Sequence, residues 1–523
     1  MTTDQVPDIV PIIIEAKAKH MHVTSEYFPE DGDYDEDRQV HNARLQFRPQ
    51  AIFHCRHAKD VRFLLKRLHE LKKRDGRGVP VTIRSGGHHH EAMCMNSQGA
   101  VLALDEINMI DVDDDKCHVW LGSGRRLDEV IKRLADDKRL LPTGGCDTVN
   151  VGGLTNGGGW GMSYRMLGLT VDMLREVEMV LPNGDLVQLD KDRFTKGKTS
   201  LPVNAPDLFK AIRGGGGGNF GVVTRFRFKL TEFDPEFCTF TLQYGRELRT
   251  EMASRWARVC EDADPRLNLF ARMTKVPDGR HLDANPAFLI GGRFYGSEAE
   301  CEKALAPLII YEGLELKDIR SYRFDSPENF VVGIFPGREN PPLGRDGTTL
   351  PAQGFALQVG AGSMSKPTDT CITCPEPHKV SSCMPVGSAA EIADAAASYI
   401  DDHPAVKDVN MYLSWHGMGG QGGTEPEGGT SFAWRKMPYM LQIQAWWWPD
   451  AGVDEQAVLN WVTGFREKLA PHTKGAFINF PDADQDVTTY YSSRIYGDLQ
   501  GVKTDVDPDN LLEFDLGVRP RKL

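Results

Sequence analysis

Three glycine clusters, a run of histidines and a few paired polar side chains are the residues of this chain whose spacing could do chemistry. The first cluster is Arg84-Ser85-Gly86-Gly87-His88, continued by His89 and His90. The second is Gly152-Gly153-Leu154-Thr155-Asn156-Gly157-Gly158-Gly159-Trp160-Gly161. The third runs from Gly214 to Gly218 and on through Asn219, Phe220 and Gly221. Consecutive backbone N–H groups in such turns form an anion-binding nest without a helix dipole. A single cluster reads as a tight turn, but three before residue 222 point to a bound phosphate-bearing group. A Rossmann fold needs its glycines between a strand and a helix. The third cluster has the reverse order, with a helical stretch from Leu208 to Ile212 before it and a strand after it. No helical period begins at His88, and no cluster is followed by the Lys-Ser/Thr of a P-loop. Neither nucleotide fold fits.

Metal chemistry finds little support. His88, His89 and His90 on an extended chain point to alternating faces and cannot easily share one ion. Cys371, Cys374, His378 and Cys383 could each ligate zinc, but their spacing matches no standard pattern, so loop thiols are the expectation. Further along, strand alternation puts Tyr412, Ser414 and His416 on one face, and Gln442, Gln444 and Trp446 on one face of the next run. Those faces could supply a general base, His416 or Tyr412, and an amide to hold a substrate. A histidine titrates nearest neutrality and suits the work best. Simple packing accounts for the same residues equally well.

The elements that must position these groups fall into two sets. Val61, Leu64, Leu65, Leu68 and Leu71 recur at helical spacing, as do Leu127, Val130, Ile131 and Leu134. Strands are expected at Val79 to Arg84, Val101 to Leu104, Val119 to Leu121 and Phe220 to Leu230, with a hairpin turn at Pro182-Asn183-Gly184-Asp185. From about residue 236, alternating runs at 238–244, 267–273, 288–295, 409–416 and 439–447 describe one antiparallel sheet. Helical stretches near 392–400 and 458–469 interrupt it. The expected fold class is α+β in two domains. Residues 1–40, polar and acidic, read as a surface arm.

At 523 residues, 40% of them hydrophobic, the chain is long enough for two cores. A net charge of -13 argues against nucleic-acid binding. No run reaches membrane-span length, and the N-terminus lacks the basic-then-apolar pattern of a secretory signal, so a cytoplasmic or unassigned location is expected. With no signal visible, the ten cysteines are expected as thiols.

Five segments in order resemble the berberine-bridge-enzyme-like branch of FAD-linked oxidases with the vanillyl-alcohol oxidase and p-cresol methylhydroxylase (PCMH) fold. They are Val81 to His88, Gly145 to Gly161, Asp207 to Thr224, Phe477 to Asp482, and Tyr490 to Leu511. The resemblance implies a split PCMH-type FAD domain, residues 41–235 with 477–523, and a substrate domain over 236–476. It implies FAD contacts from Arg84, Ser85, Gly86, Gly87, Val149, Gly152, Gly153 and Asn156. Gly157, Gly158, Trp160, Gly161, Gly218, Asn219, Gly221, Val223, Tyr490 and Asn510 would complete them. It also implies covalent FAD, through an 8α-histidyl bond at His88 and a 6-S-cysteinyl bond at Cys146. A small residue at Val149, the position tied to oxygen access, is the family's oxidase-like choice.

The chain departs from that pattern twice. Leu154 stands where relatives often have a histidine, and Phe477 stands where many have the tyrosine that helps take a substrate proton. The expected activity is hydride removal from an alcohol or amine carbon of a bulky secondary metabolite with O2 reduced to H2O2, either as simple oxidation or with oxidative ring closure of the substrate. Gln442 and Gln444 would hold the substrate. A carbohydrate oxidase and a dehydrogenase using another electron acceptor are the alternatives.

Overall fold

The computed structural model describes residues 8–28, 33–76, 78–146, 148–233, 236–275, 288–309, 314–323, 376–447, 449 and 451–522. Cys371 and Cys374, singled out in the sequence, lie outside these. The first sheet holds strands β1 (His22–Ser25), β2 (Ala51–His54), β3 (Val81–Arg84) and β4 (Ala100–Ala103) in the order β1-β2-β4-β3. β2, β4 and β3 run parallel, and β1 is antiparallel to β2. β2 and β4 are buried along their whole length, as parallel strands covered on both faces must be. Helix Ala58–Asp75 lays Val61, Leu64, Leu65, Leu68 and Leu71 on one face and ends at Gly76 in the left-handed conformation.

The expected surface arm is corrected here. Residues 10–25 are part of the fold: helix Val10–Ala18 buries Ile12, Ile13 and Ala16 in the core of the first sheet, and β1 extends that sheet. The acidic stretch also turns inward at Asp37, which pairs with Arg84 and His54. Composition suggested an arm because these acids were counted as solvated, whereas Asp37 is matched by buried cations.

The second sheet is antiparallel and contains β5 (Ile110–Val112), β6 (His118–Gly122), β8 (Leu174–Val180), β9 (Leu186–Leu189), β10 (Phe194–Lys196) and β11 (Val222–Lys229). Their order is β10-β9-β8-β11-β6-β5. A short pair, β7 (Arg139–Leu140) with β12 (Thr231–Glu232), flanks it. The β8–β9 hairpin turns at the expected Pro-Asn-Gly-Asp, with Gly184 at φ +83°. Residues 476–518 return to this sheet, where Tyr490, Leu499, Val502 and Val518 join its apolar core.

The third sheet has eight strands: β13 (Glu236–Tyr244), β14 (Leu267–Lys275), β15 (Phe288–Phe294), β16 (Leu314–Arg323), β17 (His378–Pro385), β18 (Val409–Gly417), β19 (Tyr439–Trp447) and β20 (Thr473–Lys474). Every neighbouring pair is antiparallel. Helices Arg249–Asp262, Ala389–Asp402 and Glu455–Leu469 cover one face. Strand alternation decides what the other face carries. Met411, Leu413, Trp415, Leu441, Ile443 and Ala445 enter the apolar core beneath the helices. Tyr412, Ser414, His416, Gln442, Gln444 and Trp446 therefore point the opposite way. The fold class is α+β, as expected. Among the described residues no helix is long and apolar enough to cross a membrane.

Candidate cofactor and substrate site

The glycine clusters and the polar face of the third sheet enclose one cavity of about 250 Å³. After β3 the chain lines it with Ser85, Gly86, Gly87 and His88. Ser85 Oγ donates to the Ser123 carbonyl at 2.6 Å, which pins this loop to the end of β6. The second cluster, expected as a turn, instead winds into helix Val151–Gly157. Its glycines lower helix propensity, but Gly152 packs tightly: an added Cβ would lie 3.0 Å from Ser85 Oγ and 3.1 Å from Ser123, so these neighbours would have to give way. Gly152, Gly153, Asn156, Gly157 and Trp160 line the cavity, as do Cys146 and Val149 before them. From the third cluster come Gly218, Asn219, Gly221 and, on β11, Val223. Asn219 Nδ2 donates to the Gly215 carbonyl at 2.9 Å, and its Oδ1 accepts from Val518 N at 2.8 Å.

Two kinds of glycine line this wall. At Gly86 and Gly157 a Cβ would collide with Asn150 or Asn479, so these serve contacts between loops. At Gly153 a Cβ would meet nothing within 4 Å, and at Gly217 nothing nearer than 3.7 Å. Neither needs a positive φ, so the space in front of them is the cavity itself. That is the cradle a bound FAD requires, with backbone N–H groups open to a pyrophosphate. No Asp, Glu, Lys or Arg lines the cavity among the described residues.

His88 stands in the same wall, its ring stacked on His41 with centroids 4.4 Å apart. Burial, with His41 and His90 nearby, holds its imidazole well below the usual histidine pKa. It is therefore neutral and keeps a lone pair for attack on carbon. Cys146 is in no disulfide. The residues present fit covalent as well as non-covalent FAD.

The sheet side supplies His416, Gln442, Gln444 and Trp446. His416 Nε2 lies 3.1 Å from Gln442 Oε1, which also accepts from Gln444 Nε2 at 2.8 Å. An amide oxygen only accepts, so the His416 proton sits on Nε2 and Nδ1 is a bare lone pair. That Nδ1 is buried with no partner among the described residues. Burial lowers the His416 pKa to about 3, so the ring is neutral. Trp160 packs edge-on against it at 4.6 Å and donates Nε1–H to the Gly417 carbonyl at 3.0 Å.

Gln444 has no capacity left for a substrate. Its Oε1 accepts from Tyr412 Oη at 3.0 Å and Trp446 Nε1 at 2.8 Å, and its Nε2 donates to Gln442 and to Ser414 Oγ. It fixes Gln442, whose Nε2 remains open. Tyr412 does not reach the cavity: it is fully buried behind Gln444, with the Arg272 guanidinium 4.2 Å over its ring. Burial pushes its hydroxyl pKa well above the phenol value, which removes it as a base.

Five expected cofactor residues also lie outside the lining. Arg84, the last residue of β3, pairs with Asp37 at 2.8 Å. Gly158, at φ +122°, backs onto the Phe477 ring, and a Cβ on Gly161 would strike the Thr143 carbonyl. Tyr490 exchanges hydrogen bonds with the backbone of Asp482. The Asn510 carbonyl accepts from Lys72 Nζ at 2.8 Å. Phe477 packs among Phe480 and Phe432 and likewise misses the cavity. Sequence reasoning overlooked His41, Phe270 and Asn479, all of which line it. Asn479 follows the recognised Phe477-Ile478 and could have been found there, whereas His41 carries no local signal.

Residues 49–190 match the family described as FAD binding domain, and residues 476–519 match Berberine and berberine like. The chain is 27% identical over 498 residues to an uncharacterized FAD-linked oxidoreductase, YgaK, of Bacillus subtilis (strain 168), covering 94% of this chain and 96% of that protein. This chain is an FAD-linked oxidoreductase similar to the berberine-bridge-enzyme-like proteins. The oxidoreductase is also 24% identical to Berberine bridge enzyme-like 24 of Arabidopsis thaliana, over 85% of this chain and 79% of that one. Its fold matches the glucooligosaccharide oxidase of Acremonium strictum, solved to study a 6-S-cysteinyl, 8α-N1-histidyl FAD. The TM-score is 0.78 at 18% identity, over 98% of this chain and all of that one.

Proposed function

We propose that this oxidoreductase is an FAD-dependent oxidase acting on an alcohol carbon of a bulky, neutral small molecule. The observation that carries the reading is that His416 and Gln442, on the polar face of the third sheet, line the same cavity as the glycine loops. Bound there, FAD would supply the hydride acceptor and, in an oxidase, return the electrons to O2 as H2O2. His416 Nδ1 accepts the hydroxyl proton. Gln442 Oε1 holds the opposite ring edge, and Gln444 holds Gln442. Gln442 Nε2 donates to the substrate oxygen. A protonated amine would find no carboxylate in this lining, so the alcohol is favoured over the amine. Phe270, Trp446 and Phe480 give a broad apolar floor that suits a bulky secondary metabolite and keeps water off the reacting atoms. Val149, with its small side chain, lines the cavity and supports an oxidase over a dehydrogenase. A second reading, oxidation of an oligosaccharide, is favoured by the match to a glucooligosaccharide oxidase.

The cofactor would be held covalently by His88 and Cys146. Acid denaturation of the purified protein tests this directly. Yellow colour should stay with the polypeptide in His88→Ala and in Cys146→Ala, and wash out only from the double variant. Colour released from the unmodified protein would remove both bonds from the account.

A further inference from the structure

His90 and His378 form a dyad that the reaction above does not use. His90 Nδ1 lies 3.0 Å from His378 Nε2. His378 is fully buried, and its Nδ1 lies 2.8 Å from the Glu376 backbone carbonyl. A carbonyl only accepts, so His378 carries its proton on Nδ1 and presents a lone pair at Nε2. His90 must then donate from Nδ1, which leaves its own Nε2 a bare acceptor. Burial keeps both rings neutral, so the assignment does not change over ordinary pH.

The dyad is held from behind by Asn42, which is fully buried. Its Nδ2 donates to the His90 carbonyl at 2.7 Å and to the His378 carbonyl at 3.0 Å, and its Oδ1 accepts from His378 N at 3.1 Å. One side chain thus positions both histidines. His378 also stacks on Trp446 at 4.0 Å, which fixes the ring plane. His90 lines the cavity, and Nε2 has no partner among the described residues.

We infer that His90, oriented by His378, is a specificity-determining residue: it accepts a hydrogen bond from a second O–H or N–H group of a neutral substrate. The inference rests on the alcohol-oxidising reading of this cavity and deepens it. Beside His90 Nε2, the cavity lining holds His416, one amide donor at Gln442 Nε2, and no charged side chain. A diol, a polyol or a polyphenol matches that set. A carboxylate or phosphate at this end of the cavity brings only acceptors to the His90 lone pair and is disfavoured there.

The test uses binding, read by quenching of the tryptophans at the cavity, Trp160 and Trp446, under anaerobic conditions. The probes are phenol, the three dihydroxybenzenes and benzoate. At least one dihydroxybenzene should bind about tenfold more tightly than phenol, the worth of one added hydrogen bond, and benzoate should bind most weakly. His90→Leu should abolish the dihydroxybenzene advantage and leave phenol unchanged. His378→Gln, whose amide oxygen can still accept from His90, should keep the advantage, and His378→Leu should lose it. An advantage that survives His90→Leu, or benzoate binding as tightly as phenol, overturns the inference. The visible spectrum of the same samples separates the two proposals. Flavin present without any dihydroxybenzene preference overturns only the role of His90. Flavin absent overturns the FAD reading, while the quenching still reports on His90.

Discussion

At the scale of single residues, one lone pair decides the chemistry. In the proposed reaction His416 would be the base, because Gln442 occupies its other nitrogen. Replacing it with Gln should lower kcat/KM by about 10²- to 10⁴-fold, the range for a lost general base, measured as oxygen consumption. Its pKa of about 3 carries a second expectation. The acid limb of kcat/KM should not appear at the ordinary imidazole value of about 6.5 but far below it, leaving the rate flat from about pH 5 to 8. A limb near 6.5 that disappears in His416→Gln would show that the ring is open to water. Strand alternation made His416 and Gln442 legible in the sequence. It could not separate Gln442 from Gln444 or retire Tyr412, because saturation of Gln444 depends on side chains from two strands meeting at once. Arg84 misled for a related reason: it belongs to the glycine motif by sequence and to Asp37 by geometry.

At the scale of elements, the third sheet is fastened to the glycine loops by buried charge. Lys379 on β17 donates to Glu91 Oε1 at 2.8 Å and to Asp482 Oδ1 at 2.7 Å, and all three side chains are almost fully buried. Glu91 belongs to the loop of His88, and Asp482 to the C-terminal return. Lys379→Met would remove one cation from a buried cluster in which Arg44 still pairs with Glu91 and Arg466 with Asp482, at a cost below the roughly 3–5 kcal/mol of a carboxylate left wholly unpaired. Thermal unfolding should show the loss, and adding Glu91→Gln should recover part of it. An unchanged midpoint in Lys379→Met would mean that water reaches this cluster. Most elements were legible because their periodicity is strong, from the Ala58–Asp75 helix to the hairpin of β8 and β9. Helix Val151–Gly157 was not, since its glycines oppose a helix locally and packing against Ser85 and Ser123 overrides them.

At the scale of the whole molecule, the histidines gathered at the cavity link stability to pH. Burial holds His41 at about 4, His90 and His416 at about 3, and His378 well below the usual value. In the unfolded chain each titrates near 6.5. Below that pH the unfolded state takes up protons that the native state refuses, so stability falls as pH drops, by up to about 1.4 kcal/mol per group per unit. Above about 7 neither state is protonated and these groups contribute no slope. These groups should therefore make the melting temperature decline as pH falls from about 6.5 to 4, while His54, held at about 9 by Asp105 and Asp37 despite its burial, adds a separate decline as pH rises from about 6.5 to 9. His378→Gln should make the decline shallower by one proton. A melting temperature that holds down to about pH 4.5 would sink the idea. The α+β class was legible because helical and strand periods are segregated along the chain. The histidine cluster was not, since His41, His90 and His378 come from three distant stretches.

That scatter has a consequence for how the protein is made. The cavity wall begins at His41 and is not closed until Phe514 and Leu516. At ordinary elongation rates those ends leave the ribosome roughly half a minute to a minute and a half apart. Throughout that interval the nascent chain exposes an unfinished, apolar, glycine-lined trough that has no lid. Loading with cofactor should therefore be a late event, after Leu516 has left the ribosome.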